Sequence, residues 1–347
     1  MPSSPAAPDP READEHPALI LANLGTPAEP RPRAVRSFLR EFLSDRRVVE
    51  MHPLLWRPVL EGIILRVRPR ASAAKYATVW RPGEETSRSG SPLMHYSERQ
   101  SELLQQELGE SVQVRVAMRY GQPALRRVMD ELMEAGCRRI ALLPLYPQYA
   151  ASSAGTVVDE AARFILASRN QPELRTVRSF ETAPAYIEAL ATALEQHWRV
   201  HGRPDPAAGE RLLLSFHSIP QAMHDAGDPY RAECERTVEL LSQRLNLPDG
   251  LAQLTFQSVF GPAAWIGPAT IDTVGELGRA GCPRLDVICP GFLSDCLETL
   301  EEINQLNRET FTTAGGGSFH YIPWGNDSDG AIAALAQQAR KVLAGWI

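Results

Sequence analysis

His217 stands in SFHSIP (215–220), where an apolar run stops and a proline follows three residues later. An imidazole at the end of such a run, with an ordinary pKa near 6.5, can take up protons or ligate a metal at neutral pH. A structural histidine satisfied by its neighbours is the plainer alternative. Further along, GFLSDCLETLEEI (291–303) carries Asp295, Glu298, Glu301 and Glu302. Wound as an α-helix, it stacks Asp295, Glu298 and Glu302 on one face, because residues three and four apart are neighbours there. Acids also favour the first turn of any helix for electrostatic reasons alone. The functional reading is a carboxylate line leading a cation towards His217, and imidazole with oxygen donors suits an iron-like divalent metal.

Other segments bear on a ligand. PLYPQYAASSAGTV (144–157) reads either as a rigid apolar wall beside a bound molecule or as a packed supporting loop. NLGTP (23–27) has a single glycine, and neither GxGxxG nor GxxxxGK[ST] occurs, which disfavours a nucleotide enzyme. MHPLLWRPVLEGIILRVRPR (51–70) mixes leucines and isoleucines with arginines. It reads as a helix covering a core, as the lip of a pocket, or as a surface resting on a membrane.

These residues need a scaffold. Strand-length apolar runs recur at 18–24, 112–118, 139–145 and 173–180, and again at 211–217, 251–259, 284–290 and 319–324. Helical patterns such as 123–136 and 270–281 lie between them. Continuous apolar strands alternating with helices predict parallel sheets covered on both faces, an α/β class. The halves also resemble each other. EAGCRRIALLP (134–144) matches RAGCPRLDVICP (279–290), RYGQPAL (119–125) faces FGPAAW (260–265), and LANLGTP (21–27) faces LSFHSIP (214–220). Two similar doubly wound domains with a cleft between them follow, divided into a tail at 1–16, a first domain at 17–170 and a second at 171–347. Ligands in such folds bind beyond the carboxyl ends of the strands.

With 347 residues and 44 % apolar composition, the chain is long enough for two cores. Its net charge of −6 offers no footprint for nucleic acid. Cys137, Cys234, Cys282, Cys289 and Cys296 are odd in number and form no CxxC pair, which disfavours a disulfide framework. The seven-residue spacing of the last three invites an iron–sulfur reading, but their apolar surroundings fit buried thiols better. The first 16 residues resemble a Pro- and acid-rich disordered tail rather than a signal peptide. No apolar stretch is long enough to span a membrane, and a cytoplasmic location is expected.

Taken together, these segments resemble the ferrochelatase family, from about residue 18 to 328. The likeness is carried by LANLGTP, SFLREFLSD (37–45), YATVW (76–80), GSPLMHYSERQ (90–100), MRYGQP (118–123) and PLYPQYAASSAGTV. It continues through SFHSIP, GDPY (227–230), FQSVFGPAAWIGP (256–268) and ICPGFLSDCLETLEEI (288–303). The resemblance implies two Rossmann-like domains without nucleotide, each a mostly parallel four-stranded sheet, and insertion of Fe²⁺ into protoporphyrin IX in the cleft between them. Coproporphyrin III is the alternative substrate, and a non-catalytic porphyrin or haem carrier the alternative role. By the same likeness His217 and Glu298 are the metal-site and catalytic residues, with Glu298 across the ring from His217. Tyr76, Arg119, Tyr120, Tyr230 and Trp265 line or support the pocket, Arg119 either holding a propionate or orienting an acidic neighbour. Iron is then a substrate, and no cofactor or iron–sulfur cluster is expected. Contact with a membrane is peripheral at most, and the state monomeric or weakly dimeric. Cys296 stands where some relatives have a histidine, and Val259 where many bacterial relatives have an arginine.

Overall fold

The computed structural model describes residues 16–259, 261 and 263–347, so the expected tail lies, apart from His16, outside the described residues. The first half runs β1 (Ala18–Asn23), α1 (Pro32–Leu43), α2 (Pro53–Val59), α3 (Leu65–Val79), α4 (Pro92–Leu108), β2 (Gln113–Met118), α5 (Leu125–Glu134), β3 (Arg139–Pro144), α6 (Thr156–Ala167) and β4 (Glu173–Thr176). The second runs α7 (Pro184–His201), β5 (Arg211–His217), α8 (Gln221–Asp225), α9 (Tyr230–Leu245), β6 (Ala252–Gln257), α10 (Thr270–Arg279), β7 (Arg284–Ile288), α11 (Arg308–Thr313), β8 (Ser318–Ile322) and α12 (Asp329–Val342). Among the described residues three π-helical segments lead into α-helices, Leu60–Ile64 between α2 and α3, Ala151–Gly155 before α6 and Glu298–Asn307 before α11.

All eight expected strands form, and every strand pairing is parallel. The sheets have the same topology, β2-β1-β3-β4 and β6-β5-β7-β8. The continuous apolar runs reflect burial on both faces. Ala18, Ile20 and Ala22 of β1 pack on one side among α5 and α6 residues, while Leu19 and Leu21 point to the other, as the two-residue period of a strand dictates. That second side is shared: Leu19, Leu21, Leu143, Leu212, Leu214, Phe216 and Ile288 belong to one core together with residues of α7, α9 and α12. The halves are therefore joined through apolar packing as well as through the chain.

Two expectations need correction. β4 hydrogen-bonds to β3 and closes the first sheet, so a boundary after residue 170 cuts a strand from its own sheet. The repeat also has a different register. The Met118 amide donates to the Pro123 carbonyl, and the Phe256 amide to the Pro268 carbonyl. Met118 and Ala124 form a parallel bridge, as do Phe256 and Ala269. The counterpart of RYGQPAL is therefore IGPATI (266–271) rather than FGPAAW, of which positions 260 and 262 lie outside the described residues.

Candidate active site

The carboxyl ends of the strands in the two halves carry different chemistry. β1 runs into the NLGTP turn, where Gly25 has φ +112° and an added Cβ would lie 1.8 Å from the Tyr120 carbonyl oxygen. Only glycine permits that approach. Asn23 and Thr26 reach Ser97 and Ser91 on and before α4, so this turn is structural. β5, by contrast, ends at His217, its neighbours Ser215 and Phe216 fully buried beneath it. The His217 Nδ1 lies 2.6 Å from the Ser218 carbonyl oxygen. A carbonyl only accepts, so Nδ1 carries a proton, and Nε2 is the ring nitrogen left to face a ligand.

The acidic segment meets this histidine through a π-helix, whose i→i+5 ladder differs from the α-helix read in the sequence. Gln257, at the end of β6, donates to the Glu298 carbonyl at 2.8 Å. The next residue, Ser258, has φ +65°, sparsely populated for a side chain of this kind. That conformation aims its amide and hydroxyl together at the Glu302 carboxylate, at 2.6 and 2.5 Å. Burial pushes the Glu302 carboxyl above its ordinary pKa, the Ser258 hydrogen bonds pull it back, His217 pulls the same way and Glu298 pushes it up. Glu302 thus responds to both His217 and Glu298, and the three form one cluster.

The remaining acids part company. The Lys75 ammonium lies 2.9 Å from the Glu301 carboxylate and ties α3 to the π-helix. Asp295 precedes that helix, and its carboxylate accepts from Thr299, Tyr321 and Asn326 at 2.7, 2.5 and 2.7 Å. It holds the turn together and does not extend the line towards His217.

Of the aromatic candidates, Tyr76 joins the cluster. Burial raises its phenol well above the ordinary value, and the charges of Glu298 and Cys296 add to the rise. Arg119 and Tyr120 form a separate network. Arg119 donates to Asp45 and, through Nε, to the Thr156 carbonyl at 2.9 Å, while the Tyr120 hydroxyl donates to Asp45 at 3.0 Å. Tyr120 is buried and the Arg119 side chain only 10 % exposed, so Arg119 orients an acidic neighbour. Tyr230, the first residue of α9, lies in the shared core, and burial raises its phenol too. Trp265 sits half-buried on the long second-half connection, bridged to Pro220.

Sequence reasoning passed over Ser258, Gln257 and Lys75, whose residue types carry no chemical signal. Tyr146 stood in plain view in PLYPQY. Its buried hydroxyl has no hydrogen-bond partner among the described residues, and Tyr120, Arg119, Cys296 and Glu298 all act on it. Tyr146 therefore feels charged groups of both halves, Arg119 of the first and Glu298 of the second.

Two topologically identical parallel sheets, a hydrophobic core shared between them and a candidate site at the strand ends define a two-domain α/β protein. SirB from Bacillus subtilis, solved with Fe³⁺, superposes with a TM-score of 0.54 at 13 % identity, over 95 % of this chain and 96 % of that one. CbiX, described as the terminal enzyme of sirohaem biosynthesis in denitrifying bacteria, gives 0.50 at 15 % identity over 94 % and 100 %. At such identities the likeness concerns the fold alone. The ferrochelatase family model matches residues 16–343. A ferrochelatase of Dechloromonas aromatica (strain RCB) is 49 % identical over 332 residues, covering 95 % of this chain and 88 % of that protein. One from Aromatoleum aromaticum is 49 % identical over 337 residues, covering 96 % and 89 %. The chain belongs to the ferrochelatase family.

Proposed function

We propose that this ferrochelatase inserts Fe²⁺ into protoporphyrin IX, releasing two protons and giving protohaem. The observation that carries the reading is the single cluster of His217, Glu298 and Glu302. Metallation replaces two pyrrole N–H protons by one divalent ion, so a site needs a proton acceptor and anionic groups within reach of one another. His217, its Nδ1 engaged by the Ser218 carbonyl, presents Nε2 at the end of β5 as the candidate proton acceptor. Glu298 and Glu302 supply negative charge for an incoming cation, and a carboxyl raised by burial binds a departing proton more readily. Tyr76 and Tyr146 form walls, favouring a distorted macrocycle over a flat one through shape.

Arg119 is committed to Asp45, which removes the arginine that the family likeness best placed for a propionate. Protoporphyrin, with two propionates fewer than coproporphyrin III, fits that commitment. A carrier would need no acid–base cluster. Fe²⁺ is a substrate in this reading, and no iron–sulfur cluster takes part: burial pushes the Cys289 and Cys296 thiols well up, against thiolate formation.

No helix among the described residues is long and apolar enough to cross a membrane. Leu54, Leu55, Ile63 and Val67 of the 51–70 arm are more than half exposed while Leu60 and Leu65 pack inward, which fits peripheral contact by a cytoplasmic protein, monomeric or weakly dimeric. The test is anaerobic turnover of Fe²⁺ with protoporphyrin IX and, separately, coproporphyrin III, followed by loss of free-porphyrin fluorescence. Catalytic conversion of protoporphyrin is expected. Preference for coproporphyrin would reassign the substrate, and binding without turnover would support the carrier.

A further inference from the structure

A second cluster of nitrogen and oxygen donors lies in the second half, built from elements that the His217 site does not use. His197 and His201 sit four residues apart on the last turns of α7, the spacing that brings two side chains to one helix face. Beside them are Asp286 of β7 and His320 of β8. One donor atom from each of His197, Asp286 and His320 lies within 4.8 Å of the others. We propose that these three residues hold a divalent transition-metal ion, Zn²⁺ or a close relative, as a structural centre clipping the end of α7 to the edge strand β8.

Several observations converge. The Asp286 Oδ1 lies 2.9 Å from His320 Nδ1 and 3.8 Å from His197 Nε2. Ligands about 2.0–2.2 Å from a tetrahedral zinc stand roughly 3.3 Å apart, between the two separations. The buried His197 Nε2 has no hydrogen-bond partner among the described residues, an orphan that a metal would satisfy. The His201 ring stacks on His197 at 4.4 Å and lies 4.8 Å from His320, which puts a fourth imidazole at hand to close the set.

The surroundings also select the metal. Arg284 grips Asp286 with two hydrogen bonds, at 2.9 and 2.8 Å, and Trp198 Nε1 adds a third at 2.9 Å. The carboxylate is thereby oriented and its charge largely offset. Calcium and magnesium, which need several anionic oxygens, are disfavoured, whereas imidazole-seeking ions such as Zn²⁺ are not.

The test uses the full chain, without porphyrin, titrated with Zn²⁺ in a calorimeter. His217→Ala removes the substrate-metal histidine, so Zn²⁺ bound in that background reports on the second cluster. One equivalent is expected there, weakened at least tenfold by adding His197→Ala or His320→Ala. Absence of that equivalent, or affinity unchanged by both additions, would overturn the proposal. Should those variants fail to fold, crystals of the unmodified protein soaked in ZnCl₂ decide. An anomalous peak about 2.1 Å from nitrogens of His197 and His320 is expected, and its absence overturns the assignment.

Discussion

The two halves share a topology and divide the labour. After β3 and after β7 the chain turns into a π-helical segment, Ala151–Gly155 in the first half and Glu298–Asn307 in the second. The first is built of alanine, serine and glycine, the second opens on Glu298 and carries Glu302. The residue after β1 in the same repeat is Leu24, where β5 ends in His217. A repeated scaffold thus keeps its geometry, with His217, Glu298 and Glu302 all carried by one copy. The other copy carries Tyr146 and the Asp45–Arg119–Tyr120 network, which serve as a wall in the proposed function. Chemistry follows side chains grafted at strand ends, whereas the fold itself is indifferent to it.

The sharpest way to break this contrast is to remove chemistry from one copy and apolar surface from the other. His217→Ala or Glu298→Gln should lower turnover by about 10²–10⁴-fold, the usual worth of a positioned acid–base group, while Leu24→Ala costs a few-fold at most. Comparable losses from all three would erase the distinction.

Next in size is the wall. Asp45→Ala takes the closest anion from the largely buried Arg119 guanidinium and leaves only the Glu160 carboxylate at 4.0 Å, and breaking a buried pair in this way costs up to about 3–5 kcal/mol. Denaturant unfolding measures the loss. A change below 1 kcal/mol would mean that the network is not structural.

A smaller effect is expected where the halves differ in loop length. Ser258→Ala removes one of the two hydrogen bonds that pull Glu302 down, so its carboxyl should titrate higher than in the wild type. The acidic limb of kcat/KM should move up with it, with kcat at high pH nearly unchanged. An unmoved limb would exclude Glu302 from proton handling.

Smallest is the effect of Glu302 on stability. Its pKa in the folded chain is raised, so folding favours the protonated form. The advantage is full below the unfolded pKa and is lost as pH rises through the folded one. The stability of the wild type relative to Glu302→Gln should therefore fall across that window, and parallel curves for the two would contradict the assignment.

How much of this was written plainly in the chain depends on what each feature leaves behind. Strands buried on both faces leave continuous apolar runs, so all eight were legible. A π-helix leaves no mark of its own, so the acids were spaced as on an α-helix and Asp295 was counted with them. The repeat register was ambiguous because Gly261-Pro262-Ala263 and Gly267-Pro268-Ala269 present the same tripeptide, and only the hydrogen bond from Phe256 chooses between them. His217 was legible from the run that ends on it. Ser258 was not, since nothing about a serine announces a positive φ. His197 and His201 are visibly paired by spacing, but Asp286 and His320 reach them only through the order of strands in the sheet.

The most direct test of the division between the halves separates binding from insertion in one variant. Protoporphyrin affinity by fluorescence and Fe²⁺ insertion under anaerobic conditions should be measured on wild type and His217→Ala. Affinity within a few-fold of wild type, with insertion reduced by about 10² or more, is the predicted result. Insertion at a near-wild-type rate by the folded variant would contradict the claim that the chemistry resides at the end of β5.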